Sequence, residues 1–144
     1  MSWNLHTSFR AYGTPKGQPR VRRSKSGGVY TPDSAKEWKE AIQLEANIRT
    51  RLHCSRIEGA VRVDERFFFP CPARLERESA LRLIPHAAKP DRDNCDKVVL
   101  DALTQIGAFK DDAQVAAGVI EKWYARPSEE PGAEIHIYIW KEDR

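Results

Sequence analysis

The chain has 144 residues, 40% apolar and 31% charged, with 24 Lys and Arg against 21 Asp and Glu for a net charge of +3. This length and composition fit one globular domain, 1–144, with a core of its own, rather than a disordered chain. No run approaches the roughly 20 apolar residues of a membrane span, no secretory pattern opens the chain, and the three cysteines (Cys54, Cys71, Cys95) lack CxxC spacing, so reduced thiols and a cytoplasmic location are expected.

Residues 3–12 alternate loosely around Trp3, Leu5, Phe9 and Tyr12 and predict a first strand. Gly13 to Pro32 carries Pro15, Gly17, Pro19, Gly27, Gly28 and Pro32, which predicts a long irregular loop. That loop is basic: Arg10, Lys16, Arg20, Arg22, Arg23 and Lys25 all precede the first acidic residue, Asp33. Clustered cations suit a polyanion such as DNA, because each phosphate contact releases a counterion; a solvated loop is the competing reading.

Ser34 to Glu37 fits a capping box, and Trp38, Ala41, Ile42, Ile48 and Leu52 then recur at helical spacing to about His53. Residues 60–69 put Val61, Val63, Phe67 and Phe69 on one side of a strand, with Glu65 interrupting that side and a mostly charged opposite face. From Ala73 to Lys89 the charges are dense and periodicity is weak, which predicts a loop with one short helical turn. A second helix is expected from Asp93 to Ile106, with Val99, Ala102, Leu103 and Ile106 inward and Gly107 at its end. Gln114–Ala125 and Ala133–Trp140 read as two strands forming a hairpin across Pro127, Pro131 and Gly132, with Ile135, Ile137 and Ile139 inward. The order predicts an α+β fold: a small mixed sheet packed with two main helices.

Chemistry concentrates in Lys89-Pro-Asp91-Arg-Asp93-Asn94-Cys-Asp-Lys97, followed by Asp101-Ala-Leu103 and Asp111-Asp112-Ala-Gln114-Val115. Pro90 keeps the chain extended before Asp91, so Asp91 and Asp93 belong to a helix entry or N-cap where both carboxylates reach one point. Asn94, Lys97 and Asp101 follow on one helix face. The helix is roughly 20 Å long, so the chain must return for Asp111 and Asp112 to approach the same pocket. Clustered carboxylates repel unless a cation lies between them, and oxygen ligands without His or Cys suit Mg²⁺ or Mn²⁺, the ions of phosphodiester hydrolysis. The competing reading needs no metal: Asp93 caps the helix, Lys97 is its i+4 salt-bridge partner, and Asp111-Asp112 is a turn.

The run KPDxDNxxKxxxDAL, a short glycine-containing turn and DDxQV, unbroken from Lys89 to Val115, resembles the signature of the RusA family of Holliday junction resolvases. Weaker likeness extends to the PKGQPR and VYTP segments of the basic loop, the helix after it, and Lys122. The resemblance implies that Asp91, Asp93 and Asp112 are catalytic, metal-binding carboxylates, that Lys97 assists at the phosphate, and that Asn94, Asp101 and Asp111 support them. It also implies Mg²⁺, or Mn²⁺, as cofactor and a homodimer that nicks opposed strands of a four-way junction in DNA recombination and repair. Lys16, Arg20, Arg22, Arg23, Lys25 and Lys122 then become DNA contacts. Two other readings stand beside it: a branched-DNA-binding protein without efficient cleavage, and a nuclease for flaps or forks. The long segment 73–88 departs from a minimal family member, and Cys95 inside the motif reads as a packed thiol rather than an oxidation-sensitive one. His6, His53, His86 and His136 share no ligand spacing, and Trp3, Trp38, Trp123 and Trp140 read as core or dimer-interface residues.

Overall fold

In the computed structural model, residues 1–30, 32–50 and 56–143 are described. Strand β1 (Ser2–Tyr12) leads into the basic loop, which carries two short strands, β2 (Arg22–Arg23) and β3 (Val29–Tyr30); α1 (Lys36–Thr50) and β4 (Val61–Phe69) follow. A 3₁₀ turn (Ala73–Leu75) and α2 (Glu76–Leu81) precede α3 (Arg92–Gln105). A second 3₁₀ turn (Asp112–Gln114), β5 (Val115–Ala117), β6 (Ile120–Tyr124) and β7 (Gly132–Lys141) complete the chain.

The expected hairpin of the last two strands does not form. β7 lies antiparallel between β1 and β4, whereas β5 and β6 run parallel to the far side of β4, so β4 separates β6 from β7. The reason is the intervening helix: β4, α3 and β6 make a strand–helix–strand crossover, which delivers its second strand parallel to the first. Residues 125–131 then carry the chain back across the sheet. Close backbone approach holds the broken edge between β5 and β6, since a Cβ on Gly118 would lie 2.1 Å from the Val63 carbonyl oxygen.

The basic loop is also more regular than its Gly and Pro content predicts. Arg22 pairs with Tyr30 and Arg23 with Val29, and the Ser24 amide donates to Gly28 O at 2.7 Å around Gly27, whose φ of +92° suits glycine.

Alternation along β4 turns Val61, Val63, Glu65, Phe67 and Phe69 inward, all buried, together with Ile135 and Ile137 of β7. Helices α1 and α3 pack with them; Trp38, Ile42 and Ala46 form the buried ridge of α1, and Cys95, Val98, Val99, Ala102 and Leu103 that of α3. Ile48, expected inward, is 62% exposed, because six residues beyond Ile42 the helix has turned it away from that ridge. Leu52, His53 and Cys54 lie outside the described residues. On the opposite sheet face charges are laddered: Arg10–Glu134 at 3.0 Å, Arg66–Glu121 at 2.9 Å and Arg62–Asp64 at 2.9 Å. Trp38 is a core residue, whereas Trp3 and Trp140 meet edge to face, with centroids 5.1 Å apart, toward the end of the sheet where Trp140 is exposed. No helix among the described residues is long and apolar enough to cross a membrane.

Candidate active site

Asp91 is the N-cap of α3, with extended backbone angles (φ −66°, ψ 154°), and the helix opens with the Cys95 amide donating to Asp91 O at 3.1 Å. Its carboxylate caps no amide and stays available. Asp93 lies not on the extended entry but in the first helical turn, at the positive end of the helix dipole. The apolar ridge of α3 faces the core, which leaves Asp93, Asn94, Lys97 and Asp101 outward. Asp91, Asp93 and Lys97 are exposed, and among the described residues none of the three side chains forms an ion pair or hydrogen bond. The i+4 bridge between Asp93 and Lys97 is thus not made.

At the other end, Gly107 (φ +78°) stops the helix, and the chain returns through buried Ala108 and Phe109 to Asp111. Asp111 caps the 3₁₀ turn by accepting from the Ala113 amide at 2.8 Å, reciprocated by Gln114, whose Oε1 accepts from the Asp111 amide at 3.2 Å. The Gln114 amide group is fixed in turn on the Ile57 and Gly59 carbonyls at 3.1 and 2.9 Å. The Ala113 amide and the neighbouring Asp112 carboxyl hold Asp111 below the ordinary carboxylate range. Asp112 is raised instead, first by its hydrogen bond with Asp111 and further by Asp101. Asp101 also meets the Lys39 ammonium at 3.8 Å.

The acidic residues fall into two groups along the chain: Asp91 and Asp93 at the start of α3, and Asp101, Asp111 and Asp112 toward and beyond its end, with Asp101 about 12 Å past Asp93 at 1.5 Å per residue. Among the described residues no three His, Cys, Asp or Glu side chains enclose a ready-made ion site.

The basic loop closes on the first group. The Gln18 amide donates to Asn94 O at 3.0 Å, and Arg20, Arg22 and Lys89 border an open cleft of about 600 Å³ that Asp91 and Asn94 also line. Lys16, Arg20, Arg22, Arg23 and Lys25 are exposed and form no ion pair among the described residues. Among the described residues, a carboxylate without a partner, Asp91, and cations without partners, Arg20 and Arg22, share one cleft. A family model described as Endodeoxyribonuclease RusA matches residues 12–138 of this chain.

The chain belongs to the RusA endodeoxyribonuclease family. Its members are metal-dependent nucleases acting on branched DNA, and membership implies Holliday junction resolvase activity. No individual curated protein matches the chain. In this RusA-family chain Lys122 acts as a brace, its ammonium donating to the Ala88 carbonyl at 2.6 Å and fastening the segment that enters the motif. His86 of that segment stacks on Phe69, with centroids 3.8 Å apart, and burial lowers its pKa. Cys95 is buried, and burial pushes its thiol up to about 11. Two features escaped the sequence reading. Lys89 joins the cleft, a role its place beside Pro90 signals, and Glu65, which interrupts an apolar strand face, is a fully buried carboxyl beside Asp96.

Proposed function

We propose that this chain is a structure-selective endodeoxyribonuclease that resolves four-way DNA junctions by Mg²⁺-dependent phosphodiester hydrolysis, acting as a homodimer with paired, symmetric nicks. One observation carries the reading: among the described residues Asp91, Asp93 and Lys97 are exposed and unengaged, and Asp91 lines a cleft bordered by Arg20, Arg22 and Lys89. Carboxylates serving only as caps or salt-bridge partners would be engaged, and carboxylates on a surface that merely binds phosphate would weaken it.

In this reading Asp91, Asp93 and Asp112 hold the metal, with Asn94, Asp101 and Asp111 in support. The donor set fits a hard divalent cation: all-oxygen, with Cys95 buried and protonated. A bound Mg²⁺, or Mn²⁺, would supply charge neutralisation at the scissile phosphate and an activated water. Lys97, one helical turn from Asp93, places a cation where negative charge accumulates on the phosphoryl oxygens. Lys16, Arg20, Arg22, Arg23 and Lys25 grip the backbone and set register without reading sequence. Lys122, fastened to Ala88, adds positive potential near the helix start. A two-fold dimer matches a two-fold junction and accounts for opposed nicks.

The test is incubation of the purified protein with a labelled four-way junction, with flap and fork substrates and with linear duplex, with and without Mg²⁺. Paired symmetric nicks in the junction alone, dependent on metal, are expected. Tight junction binding with no cut would leave a binding protein, and faster cutting of flaps or forks would reassign the substrate.

A further inference from the structure

The candidate site rests on a feature that its exposed residues do not disclose. Glu65 occupies an inward position of β4, between Ile135 on β7 and Ile120 on β6, and is 0% exposed. Neither carboxyl oxygen meets a donor among the described residues. The polar group within hydrogen-bonding reach is another carboxyl, that of Asp96 on α3. The other titratable groups bearing on Glu65 are Cys95 on the same helix and Asp64 beside it in β4. None of them is a cation.

Two carboxyl groups at that separation, one of them dry, repel each other unless a proton or a metal ion lies between them. A metal ion needs further oxygen ligands or retained waters. Here both Glu65 oxygens are sealed from solvent, and among the described residues no three acidic, histidine or cysteine side chains assemble to hold an ion. A proton meets the requirement with nothing added. Burial acts in the same sense, lifting Glu65 well above the usual carboxyl range.

We propose that Glu65 and Asp96 share one proton in a carboxyl–carboxylate hydrogen bond that clamps the first turns of α3 to β4, making Glu65 a positioning residue for Asp93 and Lys97. Asp96 lies three residues after Asp93 and directly before Lys97, so a fixed Asp96 fixes the turn from which both project. The functional half of this inference rests on the nuclease reading above; the clamp itself does not.

The sign of the pH effect follows from the buried position. A carboxyl raised in the folded state binds its proton more tightly there than in the unfolded chain. Its contribution is therefore complete below the ordinary carboxyl range and is lost progressively as pH rises toward the folded value.

The experiment compares the unmodified protein with Glu65→Gln, whose amide still donates to Asp96, and Glu65→Leu, which leaves Asp96 without a partner. The melting temperature of Glu65→Gln is expected to gain on the unmodified protein by roughly 3 °C or more between pH 5 and pH 8. Amide exchange over Asp96–Val99 is expected to accelerate about tenfold in Glu65→Leu and to stay slow in Glu65→Gln. In junction cleavage at saturating Mg²⁺, kcat is expected to fall roughly tenfold in Glu65→Leu with KM unchanged, and Glu65→Gln to restore it. Melting curves of the unmodified protein and Glu65→Gln that run parallel with pH would overturn the shared proton. Stabilisation by Mn²⁺ that the unmodified protein shows and Glu65→Gln lacks would also overturn it, placing a metal ion between the carboxyls. If the unmodified protein cuts no DNA while the melting and exchange results hold, the nuclease reading fails and the clamp stands.

Discussion

The backbone amide of Gln18 donates to the carbonyl of Asn94 at 3.0 Å, tying the basic loop to the first turn of α3. Gly17 makes this approach possible, since a Cβ there would sit 2.7 Å from the Pro90 Cβ. The proline ring cannot swing aside. Gly17→Ala is therefore expected to push the loop off the helix, destabilising the fold by about 1–3 kcal/mol and weakening junction binding. Thermal melting and a binding titration check both halves; unchanged affinity would detach the loop from the DNA site.

The carboxylates should separate binding from cutting. Asp91→Asn, Asp93→Asn and Asp112→Asn are each expected to lower Mg²⁺-dependent cleavage at least ~100-fold while junction affinity holds or rises, because a negative charge near phosphate is removed. Parallel loss of binding and cutting in any of them would point to a structural role for that residue.

Neighbouring aspartates with different partners should behave differently. Asp111 accepts from the Ala113 amide, whereas Asp112 faces Asp111 and Asp101. Asp111→Asn retains an acceptor oxygen and should leave melting close to that of the unmodified protein, while Asp111→Ala loses the cap and melts lower. Comparing the two by calorimetry isolates the cap from the charge.

Salt dependence reads out the cleft. Arg20→Ala and Arg22→Ala are each expected to reduce the slope of log affinity against log salt by about one if each cation neutralises one phosphate. Arg10, held on Glu134 at 3.0 Å, serves as the contrast, and Arg10→Ala should leave the slope unchanged. Equal slopes for all three variants would remove the loop cations from the interface.

Cys95 should be chemically silent in the folded protein. Its thiol is buried and pushed up to about 11, so the thiolate is scarce at neutral pH and gains only as pH climbs toward that value. Alkylation at pH 8 is expected to modify Cys95 only on unfolding, while half-buried Cys71 reacts sooner; mass spectrometry of labelled peptides reports the order.

Local chemistry was legible from the sequence because its causes are local. Pro90, the DxDN entry and Gly107 bound α3 through backbone sterics, the alternation in β4 set its inward face, and the absence of acidic residues before Asp33 marked the basic loop. What the sequence could not decide were relationships over distance. Separation of β6 from β7 by β4 follows from the crossover through α3, and strand order is set by which edges meet, not by any residue pattern along a strand. Only the tertiary structure placed Gly17 against Pro90, set Asp112 beside Asp101, and left Asp93 and Lys97 without the bridge their spacing allows. It also showed that Glu65, a break in an apolar pattern when read along the chain, is a buried carboxyl facing Asp96. Burial and charge pairing are properties of the assembled core, where two residues 31 positions apart meet in a low-dielectric interior that neither one's neighbours in sequence define.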